Sequence, residues 1–169
     1  SSRAAFVGVI LALLPQGAMA FGLSLQSNLA VELGLNDNQV GTLSLWSSLI
    51  GGIACVAGGW LSDRFGRRLV LALTMGATVL PTAIYGWFMY QHHWIMPVAV
   101  DSPNRPVPAA TLVTAFWGAA LIYALFQGLY YGVKSALFMD VTNPRVAATQ
   151  FTAYMALNNL AISYSATWL

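Results

Sequence analysis

The chain has 169 residues, 58% of them hydrophobic and only 7% charged, with a mean hydropathy of +0.68. So few charges cannot clothe a water-exposed surface, which excludes a soluble globular domain and indicates an integral, all-α membrane chain. The net charge of +2 is too small for a nucleic-acid partner, and the single cysteine, Cys55, excludes an internal disulfide.

The first segment imitates a secretory leader: Arg3, an apolar run from Ala4 to Leu14, and the small-residue triplet Ala18-Met19-Ala20. The apolar run continues past Ala20 to Leu25, so it reads as a membrane span over about residues 4–28. Pro15, Gln16 and Gly17 interrupt this span. Mid-span Pro and Gly free backbone groups, which a membrane tolerates beside packed protein or a wet cavity. Gln16 is therefore the polar candidate of this helix for a cavity, with a packing kink as the alternative.

Glu32, Asn36, Asp37 and Asn38 read as a short polar loop, with Asn36 or Asp37 capping the next helix. The second span, about residues 39–61, is dense in glycine and serine, which implies close helix contacts. A third span, about residues 69–91, carries Pro81 as a kink. From His92 to Ala110 the chain is proline-rich and too polar to cross, and Trp87, Tyr90 and Trp94 at its start suit an interfacial aromatic belt. His92 and His93, adjacent on a helix, would point apart, so no metal site is expected.

The fourth span covers about residues 111–138, with Lys134 near its end and expected to snorkel to the headgroups. Asp140, Asn143, Pro144 and Arg145 make the next turn, and a fifth span occupies about residues 147–169. Five spans place Arg3, Arg64, Arg67, Arg68, Lys134 and Arg145 on one side and Arg105 on the other. By the positive-inside rule the first group is cytoplasmic.

The densest charge lies in Gly59-Trp60-Leu61-Ser62-Asp63-Arg64-Phe65-Gly66-Arg67-Arg68, between two runs without charge, Val40–Leu61 and Leu69–Tyr90. The decad reads as a tight turn between spans, with Gly59 and Gly66 permitting close approach or a sharp bend and Asp63 capping the following helix or facing a helix N-terminus. By residue type alone, a positive-inside anchor explains it as well as a functional loop does.

Read as G-x-L-x-D-R-x-G-R-R, the stretch resembles the signature loop between the second and third helices of each half of the major facilitator superfamily. The resemblance implies a gating loop whose charges hold one face of a transporter closed and release it during alternating access. Ala136-Leu137-Phe138-Met139-Asp140 and Ala147-Ala148-Thr149-Gln150-Phe151 resemble the tenth and eleventh helices of the muropeptide permease and acetyl-CoA transporter group. Together these matches imply helices seven to eleven of a twelve-helix transporter in a bacterial inner membrane, a fragment that needs the N-terminal half of the same protein. The implied solute is small and sugar- or muropeptide-like. The superfamily fold also brings the two cytoplasmic turns together, so Asp140 is expected to pair with Arg67 or Arg68, with Arg145 beside them.

Gln16, Gln127, Asn158 and Asn159, with Tyr131, are the mid-membrane polar residues available for substrate. Buried amides in lipid either bond helix to helix or face a wet cavity. No acidic residue lies deep in a predicted span, so a coupling proton would be carried by the absent half. A membrane scaffold or assembly subunit on the same helical fold is the rival reading. An enzyme is not expected, since no His/Asp/Glu cluster falls at midplane depth and the serines lack a base; neither cofactor nor metal is implied.

Overall fold

The computed structural model describes residues 2–13, 26, 28–95 and 107–167. Among them the structure is all-helical, without a strand. The elements are α1 (Ser2–Leu13), α2 (Asp37–Phe65), α3 (Arg67–Ala77), α4 (Val79–Gln91), α5 (Ala110–Val141), a 3-10 turn (Pro144–Val146) and α6 (Ala147–Thr167). Residues 28–32 are also helical.

Three helices are long and apolar enough to cross a membrane: α2 with 29 residues, the α3–α4 rod from Arg67 to Gln91 with 25, and α5 with 32. Of the five predicted spans, the second, third and fourth meet this standard. The fifth corresponds to α6, whose 21 residues carry Gln150, Asn158 and Asn159 and fall below that apolarity. In the first, the described helix α1 has 12 residues, and Pro15, Gln16 and Gly17 lie outside the described residues.

Local chemistry explains where the helices begin and break. Asn36 closes a capping box at the start of α2, its Oδ1 accepting from the Gln39 amide at 2.9 Å while Gln39 Oε1 accepts from the Asn36 amide at 3.0 Å. The predicted kink in the third span falls at Thr78, between α3 and α4. Pro81 has no N–H to offer the carbonyl one turn earlier, so the ladder lapses there.

Two helix ends differ from the sequence reading. Glu32 is not in a loop: it closes the helical stretch 28–32 and is only 8% exposed. The chain leaves that stretch by a Schellman turn, with Gly34 at φ +73°, its amide bonding the Val31 carbonyl and the Leu35 amide bonding that of Ala30. The same motif ends α4. His93 takes φ +52°, its amide meets the Tyr90 carbonyl, and the Trp94 amide meets that of Met89. The two histidines are thus beyond the helix, and Trp94 turns inward, 9% exposed, while Trp87 and Tyr90 stay outside. No cluster of metal-binding side chains occurs among the described residues.

The main packing pair is α2 against α5, and glycine sets its distance. A Cβ on Gly132 would come within 2.9 Å of the Gly59 nitrogen and collide with the Cys55 carbonyl; one on Gly128 would reach the Gly51 Cα at 2.9 Å. From the other side, a Cβ on Gly58 would lie 2.8 Å from the Leu129 Cα. The backbones are in direct contact, the close approach that small residues allow inside membranes. Leu29, Leu33, Leu43, Tyr85, Trp94, Leu112 and Phe116 bury one end of the bundle. At the other end Phe138 and Tyr154 stack with ring centroids 5.5 Å apart, beside Ala12 of α1.

The outer faces are apolar and open. Ile53, Val56, Leu73 and Ile84 are each more than half exposed, as suits contact with lipid or further helices.

Candidate functional site

Within the charged decad only Gly66 leaves the helix: residues up to Phe65 belong to α2 and Arg67 begins α3. Gly66 takes φ +93° and ψ 128°, a conformation that a side chain would strain, so one residue turns the chain between two spans. Asp63 therefore sits in the last turn of α2. It does not cap α3, whose N-terminus has no side-chain cap; Asp63 Oδ1 instead accepts from Arg67 Nη2 at 3.0 Å.

Arg67 ties the turn to α5. Its Nη1 donates to the Ala136 carbonyl at 2.6 Å and forms an ion pair with Asp140 Oδ2. The expected partnership of Asp140 is thus made with Arg67 and not with Arg68. The Arg67 side chain is 28% exposed, so the guanidinium is partly withdrawn from solvent with two carboxylates and a carbonyl around its fork. Arg64 and Arg68 are exposed and make no ion pair among the described residues. Arg145 is exposed as well: its amide donates to Asn143 Oδ1 at 3.1 Å, and the guanidinium does not join the Arg67 cluster. Gly59 contributes its carbonyl, which accepts from Ser62 Oγ at 2.7 Å.

A cavity of about 670 Å³ opens between α2 and α5, with Met155 of α6 and Gln26 on its border. Gln127 and Tyr131 line it, as do Ser44, Ser47, Ser48 and Ser135. Among the described residues its walls carry hydroxyls and amides but no charge. Its lining runs from Val40 to Cys55 on α2 and from Tyr123 to Ser135 on α5, the residue before Ala136, whose carbonyl Arg67 holds. The cavity therefore runs along the α2–α5 pair up to the edge of the ion-paired seam. The serines give no warning in the sequence beyond packing; Ser44 and Ser48 stand one helical turn apart, which is the only signal that they share a face.

Of the other candidates, Asn159 is exposed on α6 and Asn158 is buried away from the cavity lining, while Gln16 lies outside the described residues. Asn158 Oδ1 accepts a hydrogen bond from Lys134 Nζ. Lys134 does not snorkel. It is 6% exposed, turned inward toward α6, with its ammonium 5.4 Å from the Tyr130 ring centroid and 5.7 Å from that of Phe138. The stem that could carry it to the headgroups is instead held by the amide and the two π faces.

Comparison with family models, with curated proteins and with solved structures gave no match for this chain.

Proposed function

We propose that the chain is part of a secondary transporter of the major facilitator type, contributing helices equivalent to seven to eleven and working with an N-terminal half of the same protein. In this reading α1, α2, the α3–α4 rod, α5 and α6 are five spans of a bacterial inner-membrane permease, with Gly66 on the cytoplasmic side. The solute is a small polar molecule bound near Gln127 and Tyr131, and alternating access moves it across.

One observation carries the reading: a polar cavity between α2 and α5 ends beside an ion-paired seam that ties the same helix pair together. Arg67 joins α3 to α5 one residue beyond Ser135, the last cavity residue of α5, and the lining runs from there back along α2 to Val40. A seam that closes the charged end of such a cavity is what one state of an alternating-access protein requires. Opening the charged turn would break the Arg67–Asp140 contact, so a ligand that favours one state shifts the equilibrium through that contact.

The test uses Asp140→Asn in the full-length protein, which removes the charge and keeps the shape. The transporter reading expects altered transport and a shift toward the state open at the charged turn. Unchanged transport with an unchanged ratio of the two states contradicts it, as does a cavity sealed to water from both sides, which a scaffold would show.

A further inference from the structure

Lys134 is a buried cation without a counter-charge among the described residues. Its ammonium has three donors, of which one meets the neutral Asn158 Oδ1, and the rings of Tyr130 and Phe138 lie beside it. Both ion pairs among the described residues involve Arg67, and neither involves Lys134. Asp140 follows it by six residues, about 9 Å along the helix axis, and is engaged by Arg67. An ammonium withdrawn from water at this depth is costly unless an anion joins it, and cations so placed line ligand pathways.

The cavity lies next to it. Tyr131 and Ser135, three residues before and one residue after Lys134, line the cavity, as does Met155, three residues before Asn158. The four-carbon stem of a lysine is flexible enough to carry its ammonium between Asn158 and the space beside Ser135. Among the described residues that space holds hydroxyls and amides suited to orienting a solute but no charge to hold an anionic group.

We propose that Lys134 is an anion-binding residue on the α5–α6 side of this cavity, and that the transported solute carries a carboxylate or phosphate. The assignment rests on the transporter reading and narrows its substrate class. In the empty state the ammonium rests on Asn158; an arriving anion draws it toward the cavity and replaces a neutral acceptor with a charged one, which forms the stronger bond.

The test measures thermal stabilisation of the full-length protein in nanodiscs by two matched pairs, glucuronate against glucose and glycerol phosphate against glycerol. At least one anion is expected to stabilise the protein where its neutral twin does not. Lys134→Met is expected to weaken that anion at least tenfold, with Lys134→Arg retaining it. Asn158→Ala frees the ammonium and is expected to tighten anion binding at least twofold, which keeps the test open if Lys134→Met does not fold. No preference for either anion over its twin overturns the proposal, and so does an anion response that Lys134→Met or Asn158→Ala leaves unchanged. The transporter reading fails separately, through the ratio of the two states in Asp140→Asn, which is measured with no anion present.

Discussion

Arg67, the first residue of α3, is ion-paired to Asp140 near the end of α5, while the same guanidinium nitrogen bonds the Ala136 carbonyl at 2.6 Å. One side chain thus fixes the one-residue turn at Gly66 against a helix that is distant in sequence. Asp63, one turn earlier on α2, holds the other face of the guanidinium at 3.0 Å. A double-mutant cycle over Arg67→Ala and Asp140→Ala should give a coupling of about 1 kcal/mol in the melting of the full-length protein, weakened by added salt because both groups are partly solvated. Additive effects would mean that the contact contributes nothing.

The close contact of α2 and α5 predicts a steep dependence on glycine. Gly132→Ala places a methyl against the Cys55 carbonyl and should cost about 1–3 kcal/mol, lowering the melting temperature. Gly118 lies on the same helix with open space around its Cβ position. Gly118→Ala should be neutral or stabilise by up to about 1 kcal/mol, through helix propensity alone. Equal effects at the two sites would refute the packing argument.

Lys134 and Asn158 should respond asymmetrically. Asn158→Ala removes the amide from a buried ammonium and should destabilise by about 1–3 kcal/mol. Lys134→Met removes the charge, keeps the length and leaves an apolar contact with Tyr130 and Phe138, so its effect on melting should be small or stabilising. Equal destabilisation by the two would show that the ammonium is satisfied in some other way.

At the start of α2, Asn36→Ala should cost about 1 kcal/mol, by removing the acceptor for the Gln39 amide. Hydrogen exchange at Gln39 and Val40 should quicken, while amides at the centre of α2 keep their protection. Unchanged exchange there would deny the cap a role.

What the sequence made legible, and what it did not, follows from the range of the forces involved. Charge-free runs of span length mark α2, α3–α4 and α5, because solvation in a bilayer is decided residue by residue. The sequence offers Asn36 or Asp37 as the cap of α2, and the structure takes Asn36, with Gln39 three residues on completing the capping box. The inward turn of Lys134 depends on Asn158, which lies 24 residues away, and on the rings of Tyr130 and Phe138, so no local pattern announces it. Position near a helix end suggests snorkelling; the tertiary partner decides otherwise. Gly34 does carry a local signal, a glycine just past a helix end, and the two histidines conceal the equivalent Schellman turn after α4 because φ +52° at His93 falls on a residue that is not glycine. The cavity is the least legible feature. Ser44, Ser47 and Ser48 read equally well as packing residues until α5 is set opposite them with Gln127 and Tyr131.

The central claim is that the cavity opens to one side at a time under control of the Arg67–Asp140 contact. The most direct measurement is the labelling rate of Gln127→Cys by a membrane-impermeant thiol reagent, applied from each side of the full-length protein in a Cys55→Ser background. With Asp140 present the account predicts fast labelling from the side opposite Gly66 and slow labelling from the Gly66 side; Asp140→Asn should raise the latter at least severalfold. Labelling that is slow from both sides, or indifferent to Asp140, would contradict it.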